Sequence, residues 1–292
     1  MPTAAEWIVI GSEIALALHP ILLKTVNVPL LTQLVIRLGT YSALGTALAE
    51  KADWKYSWGS WGVAQNSILF GLMNLVHIGS SYASYKNLSA GSSLALFYTY
   101  PFMNILAGVL FLGETVSWIF LPWMCIAFIG VLCISYAEKE GFEGSDDGAD
   151  KKHTGFGIAM ALLSAFTETL IFLLVKTSHH NSPFLNVLQL YPAGLLALLG
   201  YSAWKGFEGL KGSPIQIGQI LAFNIFIGFI GYCLRFYSIP RMSTVIFSIL
   251  TFIGVVAGYS WGLIFAGEKP SWLALIGSGC ITGSVAALEM MK

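Results

Sequence analysis

The chain has 292 residues, 56% hydrophobic and only 10% charged, with 15 basic and 15 acidic side chains that cancel. Soluble domains carry roughly 25% charged residues, so this composition excludes an ordinary soluble enzyme or binding module, and the zero net charge gives no footing for nucleic acid. The apolar runs are each about 20 residues long, enough for a helix to cross a ~30 Å hydrocarbon core, and no period-two alternation supports a barrel.

Punctuation by Pro, Gly and charge divides the chain into about ten spans. The first five run near 4–23, 29–49, 61–85, 89–112 and 117–137, and the second five near 155–175, 183–204, 215–237, 242–265 and 271–290. No basic stretch precedes the first apolar run and no small-residue cleavage site follows it, so it is expected to remain as a span. Between the two sets, residues 138–154 are rich in Gly, Asp and Glu and read as a solvated linker. The expected organisation is a first repeat over 1–137, the linker, and a second repeat over 155–292.

The block LFYTYPFMNILAGVLFLGETVSW near residue 96 returns near residue 250 as LTFIGVVAGYSWGLIFAGEKPSW. An offset of 154 pairs Ser89 with Ser243, Gly108 with Gly262, Gly113 with Gly267, Glu114 with Glu268, and Ser117-Trp118 with Ser271-Trp272. More weakly, SEIALALHPILLKT (12–25) resembles SAFTETLIFLLVKT (164–177), and Pro29 and Pro183 follow. An odd number of spans per copy makes the second copy enter the membrane from the opposite side, so the expected fold is an all-α polytopic membrane protein of two inverted five-helix repeats about a pseudo-two-fold axis in the membrane plane.

With a fourth span carrying Tyr98-Thr99-Tyr100-Pro101-Phe102 and ending Leu112-Gly113-Glu114, the doubled chain resembles the drug/metabolite transporter superfamily, and its EamA-like branch in particular. The second copy departs in lacking the mid-span proline and in reading Ala266-Gly267-Glu268. The resemblance implies both termini on the cytosolic side, although Lys24, Lys86, Lys205, Lys211, Lys269 and the linker lysines weigh slightly for the reverse. The plasma membrane is the favoured residence.

Ionisable side chains inside spans cost about 2.5–3.5 kcal/mol each on insertion scales and are functional candidates by default. Glu13 and Glu168 sit mid-span in the first and sixth segments and are expected to face one another across the axis. They read as a proton relay or as holders of a cationic substrate group; the plainer alternative is a permanent pair with Arg37 that fixes packing. Arg37 offers a fork of donors suited to a carboxylate or phosphate, and Arg235, near the end of the eighth span, can snorkel. His77, with Asn66 and Asn74 at roughly helical spacing, marks a wet face, and His19 is a weaker candidate. Tyr98, Tyr100 and Pro101 interrupt the fourth span, where proline frees a carbonyl. Gln189, Tyr191 and Tyr232 are further polar-tipped candidates. The expected substrate site is therefore Glu13, Arg37, Asn74, His77, Tyr98, Glu168, Gln189, Tyr191, Tyr232 and Arg235, with proton coupling at Glu13 and Glu168. Gly254, Gly258 and Gly262 read mainly as a strip for close helix packing. His179-His180 and the four cysteines are not expected to bind metal, and Asn87-Leu88-Ser89 lies too near the bilayer for glycosylation.

No phosphate loop, nucleophile elbow or metal-ligand helix motif is present, so neither an enzyme nor a cofactor is expected. The expectation is a secondary transporter, working by alternating access between bilayer faces, for a small polar or zwitterionic metabolite such as an amino acid. An exchanger of phosphorylated or nucleotide-linked metabolites, a cationic drug or metabolite exporter, and a channel or receptor on the same scaffold are the alternatives; oligomeric state is left open.

Overall fold

The computed structural model describes residues 3–26, 28–88, 90–142, 154–178, 182–265, 267 and 271–291. Most of the linker, Ser89, His179-His180, Glu268 and Lys269 lie outside the described residues.

Among the described residues the chain is helical with no strand: α1 (Ala4–Leu16), α2 (His19–Thr25), α3 (Leu30–Leu48), α4 (Lys51–Trp58), α5 (Trp61–Asn87), α6 (Ala90–Phe97), α7 (Tyr100–Leu112), α8 (Leu121–Phe142), α9 (Thr154–Thr177), α10 (Pro183–Leu190), α11 (Pro192–Trp204), α12 (Pro214–Phe223), α13 (Ile230–Ser238), α14 (Thr244–Thr251), α15 (Ile253–Phe265) and α16 (Trp272–Met290). Eight stretches among them are long and apolar enough to cross a membrane. The more polar α3 and α5, at 19 and 27 residues, reach about 28 and 40 Å at helical rise. This is an all-α, multi-pass integral membrane protein.

Local chemistry starts and stops these helices. The Thr3 hydroxyl accepts from the Glu6 amide while the Glu6 carboxylate accepts from the Thr3 amide, closing a capping box on α1. Ser213 and Gln216 do the same for α12, and proline stands in the first turn of α10, α11 and α12. Gly113 after α7 and Gly267 beyond α15 take left-handed φ values of 66° and 67°, a conformation that glycine alone adopts without penalty. The glycine of the repeated polar turn thus takes the same left-handed φ in both copies.

Several spans are broken part-way along their length. α1 gives way to α2 at Ala17–Leu18 before Pro20, α6 to α7 at Tyr98–Thr99 before Pro101, and α10 to α11 at Tyr191 before Pro192, each where a missing amide prevents a continuous ladder. A π-turn over Asn224–Phe229 joins α12 to α13. The break between α14 and α15 at Phe252 comes without proline: Thr251 Oγ1 donates to the Ser248 carbonyl at 2.9 Å, and the Phe252 amide reaches back only three residues to Ile249 at 3.2 Å. A hydroxyl competing for helix carbonyls supplies what the ring does elsewhere.

The two halves pack through antiparallel pairs. On α1 and α13, Glu13 meets Arg235 and Leu16 meets Gly231; on α5 and α9, His77 meets Glu168 and Leu88 meets Gly157. In each pair the contacts climb one helix as they descend the other. α3 packs on α10 through Gly45 and Val187, and α8 on α16 through Gly130 and Gly277. A Cβ on Gly130 or Gly277 would lie 2.5 Å from the other's carbonyl oxygen, so this crossing requires glycine. The outer surface is apolar, with Trp118 and Trp272, 154 positions apart, 81% and 82% exposed. The buried centre, in contrast, holds Glu13, Arg37, His77, Glu168 and Arg235.

Candidate functional site

A cavity of about 160 Å³ lies at this polar centre, walled by α1, α2, α3, α5, α6, α9, α13 and α15. Both halves of the chain contribute. The broken helices matter here: the α1–α2 break brings His19 to the wall, the α6–α7 break brings Tyr98, and Gly254 follows the α14–α15 break.

On one wall, Arg235 holds both acids. Its Nη1 is 3.0 Å from Glu13 Oε1 and its Nη2 is 2.6 Å from Glu168 Oε1, while Nη2 also donates to the Tyr100 hydroxyl at 3.3 Å. Glu13 and Glu168 therefore meet on one guanidinium, as their symmetric placement predicts. The pairing of Glu13 with Arg37 weighed from sequence is replaced by Arg235, because the antiparallel α1–α13 contact sets that register. Arg235 is buried and paired, not extended toward an interface.

His77 closes the cluster. Its Nδ1 stands 3.1 Å from the Ser164 carbonyl and 3.3 Å from Thr167 Oγ1, and its Nε2 is 3.3 Å from Glu168 Oε2. A carbonyl only accepts, so Nδ1 carries a hydrogen and donates it; Nε2 and Glu168 Oε2 are then left to share one proton. The two atoms face each other on the cavity wall at a distance one hydrogen can bridge.

Arg37 occupies a separate position. Nη2 donates to the Tyr232 hydroxyl at 2.8 Å, Nη1 lies 3.1 Å from His19 Nε2, and His19 Nε2 is also 2.7 Å from the Tyr82 hydroxyl. The guanidinium carbon sits 5.1 Å from the Tyr232 ring centroid and 5.7 Å from that of Tyr41, so π-faces and neutral groups surround this cation.

Seven of the ten expected residues thus line the cavity: Glu13, Arg37, His77, Tyr98, Glu168, Tyr232 and Arg235. Asn74, Gln189 and Tyr191 do not line it, although the Tyr191 hydroxyl reaches Arg37. Asn74 Nδ2 donates to the Leu190 carbonyl at 2.8 Å, bracing the α10–α11 break; Gln189 Nε2 reaches the Tyr56 carbonyl at 3.4 Å; and the Tyr191 ring packs on Tyr41 at 4.8 Å. The break at Pro192 turns this stretch toward α3, α4 and α5. Tyr82 and Tyr85 were missed, since tyrosine near a span end reads as an interfacial anchor. Gly254 and Gly258 also line the cavity: a Cβ on Gly254 would lie 2.6 Å from the Tyr98 hydroxyl, and Gly258 faces open space. These two glycines leave room in a pocket more than they seat a helix. Among the described residues no cluster of three or more His, Cys, Asp and Glu is arranged to hold a metal ion.

Comparison with known proteins gives this site a context. The EamA-like transporter family matches residues 155–290. Residues 155–290 are similar to an EamA-like transporter domain. That stretch is the copy that departs from the Y-x-Y-P-F pattern, and it supplies Glu168, Tyr232 and Arg235; the first half supplies Glu13, Arg37, His77 and Tyr98. The chain is also 25% identical, over 197 residues covering 67% of its length, to the uncharacterized transporter YxxF of Bacillus subtilis (strain 168), and the match spans 60% of that relative. A chain of known crystal structure superimposes with a TM-score of 0.78 over 100% of both chains at 14% identity, a likeness that shows the fold. The EamA-like match and the Bacillus subtilis relative agree with the resemblance to the drug/metabolite transporter superfamily read from the sequence.

Proposed function

We propose that this protein is a secondary transporter that moves a small polar or zwitterionic organic metabolite, such as an amino acid, by alternating access. In this reading residues 1–137 and 155–292 are inverted five-helix repeats joined by the polar linker 138–154, and the central cavity faces each side of the bilayer in turn. The antiparallel pairs α1–α13 and α5–α9 support the inversion, and the EamA-like match supports transport over catalysis. Both termini are cytosolic and the plasma membrane is the favoured residence.

One observation carries the choice of substrate class: the cavity presents charges of both signs on separate groups. Glu13, Glu168 and Arg235 together hold two carboxylates to one guanidinium, while Arg37 has no carboxylate partner among the described residues. A molecule with an ammonium and a carboxylate complements both. A phosphorylated metabolite would meet one free guanidinium and two acids, a poor match to a dianion. The His77–Glu168 contact supports proton coupling through the acids.

The test is flux. Purified protein would be screened for thermal stabilisation by amino acids, amines, carboxylates and phosphate esters, and the stabilising compounds followed into liposomes with and without a pH gradient. Uptake of a stabilising zwitterion is expected; ionic currents of channel size, or binding with no flux, would end the transporter reading. Glu13→Gln and Glu168→Gln assayed across a pH series address coupling, and unchanged rates and pH profiles in both would remove the acids from the mechanism.

A further inference from the structure

We propose that Arg37, framed by His19, Tyr82 and Tyr232, is a subsite for the carboxylate of an organic acid, an inference that rests on the transporter reading and gives the substrate a defined anionic end. Two observations lead to it independently.

Charge is the first. Arg37 is 5% exposed, and a buried cation without a counter-ion is strongly disfavoured. The other buried cation among the described residues, Arg235, is paired with Glu13 and Glu168, and the part-buried Lys176 is paired with Glu114. Among the described residues no carboxylate reaches Arg37, whose partners are a histidine ring, the hydroxyls of Tyr232, Tyr82 and Tyr191, and two aromatic faces. It lines the cavity, so a counter-charge can come from a ligand.

The second is a surplus of donors. Arg37 Nε is buried with no acceptor among the described residues. The Tyr232 hydroxyl accepts from Arg37 Nη2, which leaves its own hydrogen to give away. Arg37 Nη1 and the Tyr82 hydroxyl both point at His19 Nε2, at 3.1 and 2.7 Å, yet that nitrogen has one lone pair. Neutral histidine with its hydrogen on Nδ1 satisfies one of the two, and the other still needs an acceptor. The cluster is rich in donors and poor in acceptors, the complement of a planar anion with two oxygens. A dianionic phosphate fits less well, because Glu13 and Glu168 line the same space. The chemistry selects a monocarboxylate, and His19 and Tyr232 hold the guanidinium in place for it.

The experiment measures binding and stability, so it is separable from flux. Purified full-length protein would be titrated with sodium acetate and sodium propionate, against sodium chloride and inorganic phosphate at matched ionic strength, with melting temperature as the readout. Both carboxylates are expected to raise the melting temperature of the wild type more than chloride or phosphate does. In Arg37→Gln that increment is lost, with Kd weakened about tenfold or more, while the melting temperature of the empty protein rises because an uncompensated buried charge is gone. A structural brace would behave oppositely, its loss lowering the melting temperature of the empty protein. Tyr232→Phe keeps the ring and removes one donor; it should fold and weaken acetate several-fold. The proposal is overturned if carboxylates do not stabilise the wild type beyond chloride, if the increment survives in Arg37→Gln or is unchanged in Tyr232→Phe, if phosphate matches acetate, or if empty Arg37→Gln melts lower. Flux with no Arg37-dependent carboxylate binding would sink this subsite and spare the transporter; carboxylate binding without flux would do the reverse.

Discussion

Tyr98 and Phe252, 154 positions apart, stack on each other with ring centroids 6.0 Å apart and planes 28° from parallel. Each occupies the break between two half-helices, Tyr98 between α6 and α7 and Phe252 between α14 and α15. Equivalent positions of a duplicated sequence therefore touch where the copies meet. Both breaks carry a threonine hydroxyl that donates to a carbonyl three residues back, Thr99 to Leu96 and Thr251 to Ser248; only the first has a proline, Pro101, nearby, and the aromatic contact survives the difference. Phe252 is wholly buried, whereas Tyr98 opens on the cavity.

That asymmetry separates the two residues by mutation. Phe252→Ala removes a fully packed ring and is expected to cost about 3–5 kcal/mol, whereas Tyr98→Ala merges its space with the existing cavity and should cost less while impairing flux. Thermal unfolding and uptake measured on both variants decide it; an equal loss of stability would mean that Tyr98 serves packing alone.

Arg235 is the electrostatic keystone of the acid pair. Arg235→Gln leaves Glu13 and Glu168 facing each other without a cation, and a loss of about 3–5 kcal/mol is expected. Glu13→Gln alone should be far milder, because Glu168 still balances the guanidinium at 2.6 Å. Equal melting temperatures for Arg235→Gln and Glu13→Gln would contradict this hierarchy.

For proton coupling, the two acids are not equivalent. Glu168 touches His77 as well as Arg235, whereas Glu13 touches Arg235. The pH dependence of uptake is therefore expected to flatten more in Glu168→Gln and His77→Gln than in Glu13→Gln. A profile altered by Glu13→Gln alone would move the coupling site to α1.

At the far end from His19 and Tyr82, Glu114 and Lys176 tie α7, α9 and α14 together. Lys176 Nζ lies 3.4 Å from Glu114 Oε1 and donates to the Met242 carbonyl, while Glu114 Oε2 accepts from the Thr244 amide at 3.0 Å. A double-mutant cycle of Glu114→Gln and Lys176→Met should return a coupling of about 1 kcal/mol. Additive effects would show the ion pair to be incidental to the cap on α14.

Glycine positions offer a contrast within one residue type. Gly277→Ala drives a Cβ into the Gly130 carbonyl and should destabilise by about 1–3 kcal/mol. Gly258→Ala faces open space at the cavity and should leave the melting temperature unchanged while narrowing the pocket. Loss of stability in both would show that the α15 glycines seat a helix after all.

Much of this protein was legible in its residues. Apolar length and punctuation located the helices to within a few positions, because a span must satisfy its own backbone hydrogen bonds wherever it lies. The cost of burying charge marked Glu13, Arg37, Glu168 and Arg235 as belonging to one interior. The repeated Gly113 and Gly267 turns were visible because left-handed backbone demands glycine.

Partnership was not legible. Whether Glu13 would meet Arg37 or Arg235 depends on the vertical register of α1 against α13, and Leu16 against Gly231 sets that register through shape, not through any local preference. The same dependence sent Asn74, Gln189 and Tyr191 to the α10–α11 break and brought His19 and Tyr82 to the cavity. Local chemistry determined where this chain is helical and which side chains must be buried together. Only the packing of the halves decided which charges neutralise one another and which one, Arg37, is left facing the cavity with no counter-ion among the described residues.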